Sequence, residues 1–160
     1  YGSASRSGSS CDWNDNCNVN QCGNMSNDCG PNPMTTNINQ AARNNTDFRN
    51  TFWTGNHLQI TLMCIPVGSC IGLEVHHESD QFIRIEQGEG LCQMGPAEDD
   101  LSFEQKIGED EAVFVPLGLW HNITNRGNVP LKLYTIYASP DHVPGTVHGT
   151  QEDAESDPNE

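Results

Sequence analysis

Read for the spacing of apolar and polar positions, the chain divides into two regimes. From Leu58 onward it runs in short alternating stretches broken by Gly and Pro: LQITLMCI (58–65), GLEVH (72–76), QFIRIEQ (81–87), GLCQM (90–94), LSFEQKI (101–107), EAVFV (111–115), HNITN (121–125) and PLKLYTIYA (130–138). Alternation with a period of two puts successive side chains on opposite faces, so each stretch reads as a half-buried β-strand. Many short strands separated by turn residues predict an all-β sandwich or barrel. No segment sustains a helical period, although NINQAARN (37–44) suffices for one turn.

Residues 1–36 follow a different pattern. After a Gly/Ser opening they read CDWNDNCNVNQCGNMSNDCGPNPMTT, in which only Trp13, Val19, Met25 and Met34 are sizeable apolar groups. Such a segment buries too little apolar surface to offset its ordering entropy, and alone it is expected to be a disordered arm. The expected organisation is therefore an arm over 1–36, a β-barrel over 37–140, and an acidic, solvated tail over 141–160 that ends GTQEDAESDPNE. The opening YGSASRSGSS has neither an initiator Met nor an apolar signal core, which fits a removed leader or a start partway along a longer product.

Charge narrows the choice of partners. The 160 residues carry a formal net charge of −15, with 7 Lys+Arg against 22 Asp+Glu. That surface repels nucleic acid and anionic lipid, and disfavours anionic substrates unless a basic side chain is set aside for them. The longest apolar run, ITLMCI, is strand-sized and too short for a membrane span.

The 7 cysteines fall into two groups, Cys11, Cys17, Cys22 and Cys29 in the arm and Cys64, Cys70 and Cys92 among the strands. Four thiols in a small polar segment suggest a disulfide framework or cross-links, with the pairing open. Zinc ranks below disulfides, because only Cys17 and Cys22 approach zinc-type spacing and the arm has no histidine. Cys64 and Cys92 read as small buried hydrophobes. The odd total leaves one thiol unpaired or paired with another chain. Together these features favour an extracellular, cell-surface or spore-surface setting, with copies of the same chain as partners in a homo-oligomer or polymer.

The chemistry concentrates in two polar clusters. One is EVHHESDQ, Glu74 to Gln81, within Pro66–Gly90; the other is VPLGLWHNITN, Val115 to Asn125. Glu74 and His76 lie two apart on a strand and so face the same way, while His77 points to the opposite face. The first cluster resembles the first signature motif of the cupin superfamily, with Gly68 at its start, Glu74 and His76 at the two His positions, Gln81 at the Glu position and Gly88 closing it. The second matches the other signature in full, through Pro116, Gly118, His121 and Asn125. The resemblance spans residues 58–140 and implies a jelly-roll β-barrel, with Glu74, His76, Gln81 and His121 converging on a divalent transition metal (Zn, Mn, Fe or Ni). The ligand set is similar in type to that of the cupin phosphomannose isomerases, two His with one Gln and one Glu, but with Gln and Glu exchanged in order.

Other polar residues read as structural. His57 precedes a strand, and His142 and His148 fall in the loop run PDHVPGTVHG. Arg84, Lys132 and Tyr134 are candidates for the barrel mouth, with Arg84 out of phase with Gln81. Two uses follow. The first is a metal-bearing cupin serving as a self-assembling, disulfide-cross-linked subunit of a fibre, coat or surface layer. The second is a small metal-dependent enzyme, of isomerase or dioxygenase type, that would sit in the cytoplasm.

Overall fold

The computed structural model describes residues 28–160. The elements are α1 (Ile38–Asn44), β1 (Arg49–Thr54), β2 (Gln59–Ile65), β3 (Asp80–Gln87), β4 (Gly90–Gly95), β5 (Phe103–Ile107), β6 (Ala112–Val115), β7 (Trp120–Asn125), β8 (Leu131–Ala138), β9 (Val147–His148) and α2 (Gln151–Glu155). They form two antiparallel sheets, one of six strands in the order β6-β3-β8-β2-β1-β9 and one of three in the order β5-β4-β7. The all-β expectation is met, and seven of the expected stretches are strands within a residue or two at their ends. The eighth, 72–76, is not a named strand; its only β-bridge joins Glu74 and His121. β1 and β9 went unread because RNTFWT lacks clean alternation and β9 spans two residues.

Alternation explains the packing. Ile83 and Ile85 of β3, Leu131 and Leu133 of β8, and Met63 and Ile65 of β2 face inward, meeting Cys92 and Met94 of β4 and Ile123 of β7 in one buried cluster. The opposite face of the large sheet exposes Leu62 and Tyr134, and α1 covers it with Ala41 and Ala42. Asn37 caps this helix, its side chain accepting from the Gln40 amide at 3.0 Å. An element apolar on both faces thus gains a partner on each.

Two glycines and an asparagine set the joints between the motif segments. Gly118 has φ +81°, and its amide donates to the His76 carbonyl at 2.7 Å, pinning the turn before β7 to the segment that carries His76. Gly88 turns β3 into β4 at φ +92°, where a Cβ would lie 3.2 Å from the Pro130 carbonyl oxygen. Asn125 is buried, and its amide donates to the Ile65 and Val129 carbonyls at 2.9 Å each, tying the two sheets together.

Residues 141–160 are not a solvated tail. β9 pairs with β1, through Arg49 with His148 and Asn50 with Val147. Ala154 of α2 enters the main core, and Glu160 lies 3.0 Å from the buried Arg49 guanidinium. The acidic residues that suggested solvation have buried basic partners the sequence does not place beside them. His142 and His148, read as loop residues, are 6 % and 4 % exposed.

Cys11, Cys17 and Cys22 lie outside the described residues. Cys29 is buried, its amide donates to the Phe52 carbonyl at 3.0 Å, and it is not among the free thiols Cys64, Cys70 and Cys92. Cys92 is the buried hydrophobe expected, its thiol pushed up to about 11 by burial, whereas Cys64 is only half-buried on the outward phase of β2. No helix among the described residues is long and apolar enough to cross a membrane.

Ile85 is fully buried, so Ile85→Ala is expected to lower unfolding free energy by about 2–5 kcal/mol in urea denaturation. Phe114→Ala, at a side chain 69 % exposed, is expected to stay within about 0.5 kcal/mol. Equal effects at the two positions would refute this assignment of the core.

Candidate metal centre

The inner face of the six-stranded sheet changes character along its strands. At one end Ile85 faces Leu133, which faces Met63. Two residues on, Ile83 faces Thr135, which faces Thr61, and two further on Gln81 faces Tyr137, which faces Gln59. The inward surface therefore runs from aliphatic to hydroxyl to amide and phenol. Unpartnered polar groups at such depth are costly, so this end of the interior is built around polar contacts.

The segment carrying Glu74 and His76 closes over the polar end from the other sheet. The Glu74 amide donates to the His121 carbonyl at 3.1 Å, and the His121 amide returns to the Glu74 carbonyl at 2.9 Å. That reciprocal pair fixes three side chains on one centre. Glu74 Oε1 lies 3.4 Å from His76 Nε2 and 3.4 Å from His121 Nε2, and the two imidazole rings sit 5.2 Å apart. One ligand atom from each of the three falls within 4.8 Å of the others.

The far nitrogens of both rings are already committed. His121 Nδ1 donates to the Leu119 carbonyl at 3.1 Å, and His76 Nδ1 lies 3.0 Å from Asp141 Oδ1, which accepts from it. Both rings therefore turn Nε2 toward Glu74. Each Nε2 is buried without a hydrogen-bond partner, since 3.4 Å exceeds an ordinary N–H···O bond. Donors about 2.1 Å from a shared cation stand roughly 3.0–3.4 Å apart, so this spacing suits an ion between them. Two imidazoles and a carboxylate are a fitting donor set for a divalent transition metal.

Gln81 stands on the facing sheet. Its Nε2 donates to Thr135 Oγ1 at 2.8 Å, leaving a buried Oε1 with no partner. Its neighbour in register, Tyr137, meets the His76 ring edge-on at 5.3 Å. Glu74, His76 and His121 thus form the cluster, and Gln81 stands outside it beside Tyr137, whose ring touches His76, with a buried carbonyl oxygen that has no partner. Arg84, Lys132 and Tyr134 take the outward phase: Arg84 pairs with Asp110 at 3.0 Å, Lys132 reaches the Arg43 carbonyl, and Tyr134 packs among the residues under α1. None of them lines the interior. His57 and His77 are exposed.

Electrostatics bind the cluster together. Burial works to raise the Glu74 carboxyl, but His121 and His76 outweigh it and hold the group far below the usual carboxylate range. Burial likewise works against charge on His76, yet Asp141 and Glu74 together raise it to about 9. Asp141 is lowered, its contact with His76 prevailing over burial.

Asp141, Tyr137 and His142 complete the surroundings and were not anticipated as functional. His142 Nε2 lies 3.2 Å from the Tyr137 hydroxyl and His142 Nδ1 lies 2.7 Å from Glu160 Oε1. For Tyr137 a signal existed: it shares its strand phase with Thr135, while Tyr134 takes the opposite one. Nothing local marks Asp141, which reaches His76 only because the chain after β8 folds back.

Comparison with known proteins agrees with this architecture. Residues 61–137 match the cupin domain family. YrkC of Bacillus subtilis is 53 % identical over 127 residues, 79 % of this chain and 68 % of that protein. The crystal structure of BH2720 from Bacillus halodurans is 51 % identical, with a TM-score of 0.80 over 81 % of this chain and 98 % of that one. A cupin family protein of double-stranded β-helix fold from Methanocaldococcus jannaschii, 19 % identical with a TM-score of 0.51 over 61 % of this chain and 84 % of that one, shares the fold.

Because His76 is raised above its ordinary 6.5, the stabilisation from its charged form is present below that value and is lost as pH rises through about 9. Histidine-resolved NMR titration of metal-free protein should give a His76 midpoint near 9, moving down in Asp141→Asn. A midpoint at or below 6.5 in the unsubstituted protein would contradict the described contacts.

Proposed function

This chain belongs to the cupin domain family, and we propose that it holds a divalent transition metal at Glu74, His76 and His121, with Gln81 opposite, and acts there on a small organic molecule. The observation that carries the reading is the pair of buried Nε2 atoms, each without a partner and each 3.4 Å from the same carboxylate oxygen. A bound metal would supply Lewis-acid or redox chemistry.

The chain's own residues narrow the substrate. Arg49 is the buried cation among the described residues, and Glu160 neutralises it. Among the described residues no buried Lys or Arg is left unpaired for a phosphate or carboxylate, which favours a neutral polar substrate over an anionic one. Thr61 Oγ1 and Gln81 Oε1, both buried and without partners, provide hydrogen-bonding capacity on the inner wall. Tyr137 is a phenol held neutral, raised well above its ordinary value first by burial and then by Glu74. Its hydroxyl lies 3.2 Å from His142 Nε2, and a neutral phenol there offers a hydrogen bond rather than a labile proton.

Purified protein is expected to bind Co²⁺ at one equivalent with a visible d–d spectrum, and Glu74→Ala or His121→Ala should each abolish stoichiometric binding. Gln81→Ala should weaken it less, an amide being the poorer donor. Protein that carries no transition metal and takes up none from millimolar Co²⁺ or Zn²⁺ would end this reading.

A second reading draws on the arm. Cys29 is buried against β1 and not free, which supports disulfide use of the arm; on this reading Cys11, Cys17, Cys22 and Cys29 also supply cross-links between copies of this chain in an extracellular or surface assembly. Electrophoresis of native material should then show a ladder that collapses with thiol. A single monomer band with and without reductant would remove the assembly use and leave the metal centre standing.

A further inference from the structure

Residues 141–160 cross the polar end of the large sheet as a strap, and their anchors form one connected path to the candidate centre. Gln59 grips the first turn: its Oε1 accepts from the Asp141 and His142 amides at 3.1 and 2.9 Å, and its Nε2 donates to the His142 carbonyl at 2.9 Å. From there Asp141 meets His76 and His142 meets Tyr137. Farther along, Thr146 accepts from the Thr51 amide, β9 pairs with β1, and Glu160 returns to His142 and Arg49. His148 lies 3.4 Å from Arg49 and 2.9 Å from Asp157, completing the chain of contacts.

The hold is polar more than apolar. Ala154 is the strap's buried apolar residue, while Val143 and Val147 are 52 % and 42 % exposed. A segment held by few apolar contacts and several ion pairs opens at a lower free energy than the strands beneath it. It nevertheless supplies the group that orients His76, and a ligand histidine's outer partner governs its tautomer and basicity.

We propose that strap docking and metal loading are coupled, with Asp141 and Glu160 as positioning residues: the docked strap organises the metal centre, and a bound ion holds the strap closed. The proposal rests on the metal reading above. Its chemical basis is that Asp141 stabilises His76 as a ligand only while the strap is docked, and Glu160 keeps it docked through His142 and Arg49 without touching any ligand. Coupling of this kind is reciprocal, so each event must favour the other by the same factor.

The test uses full-length protein and Co²⁺ alone. Hydrogen exchange of wild-type protein should slow at the 141–149 amides on adding Co²⁺, with core strands unchanged. Glu160→Gln should speed exchange across the strap and weaken Co²⁺ binding on the order of five- to tenfold. Asp141→Asn should weaken binding roughly 10- to 100-fold and alter the d–d spectrum. If Glu160→Gln frees the strap or lowers Tm while the Co²⁺ Kd and spectrum stay at wild-type values, the strap is merely structural and the coupling is refuted. Strap exchange in wild-type protein that is indifferent to Co²⁺ refutes it without any variant. Wild-type protein that binds no Co²⁺ overturns this inference and the metal reading together, whereas binding with an indifferent strap overturns this inference alone.

Discussion

A single carboxylate oxygen placed between two buried imidazoles organises one end of this molecule. Glu74 reaches that position because its backbone exchanges two hydrogen bonds with His121, so the pairing that joins the loop to the small sheet also aims the side chains. The aliphatic end of the interior supplies the burial that makes the arrangement rigid, and the polar end supplies groups that burial alone would not tolerate. The rest follows from keeping those groups partnered. Leu119 and Asp141 take the outer ring nitrogens, Gly118 ties its turn to the His76 carbonyl, and Asn125 locks the two sheets at the opposite end.

Alternation and the two motifs made most of this legible. Strand phase correctly placed Gln81 inward and Arg84 outward, because period-two geometry fixes facing once a strand is established, and His77 is exposed as expected although its segment forms no strand. The same rule applied to PLKLYTIYA would have chosen Tyr137 over Tyr134, since 131, 133, 135 and 137 share the buried phase. What alternation does not carry is the return of the chain after β8. Asp141, His142 and Glu160 acquire roles through long-range contacts with His76, Tyr137 and Arg49, and a local stretch of acidic residues looks the same whether water or a buried arginine receives it. The strap therefore read as a tail, and two buried histidines read as loop residues.

The motif glycines show how one residue type serves different physical ends. Gly118 and Gly88 both adopt positive φ, but open space surrounds a notional Cβ at Gly118, whereas Gly88 lies against Pro130 and Leu131. At the first position the backbone conformation alone requires glycine. At the second, conformation and close approach both do. Asn125, the last motif residue, makes no contact with the metal cluster and works as a clamp between sheets. A motif can thus mix ligands with residues whose task is to hold the ligands' strands in register.

Charge balance connects the strap, the centre and the proposed use. Three carboxylates pair directly with Arg49 or His76: Glu74, Asp141 and Glu160. Against them stand Arg49 and, while it carries its raised proton, His76, leaving the group one negative charge in excess. Were a divalent cation bound at Glu74, His76 and His121 in place of the His76 proton, two positive charges would stand where one did and these pairs would balance. On the proposed reading, loading removes the excess charge that a closed, low-dielectric interior penalises. On the same reading, no Lys or Arg among the described residues would be left unpaired beside the loaded site to attract an anion. The inner wall instead carries hydroxyl, amide and phenol groups, which on that reading would select by hydrogen bonding.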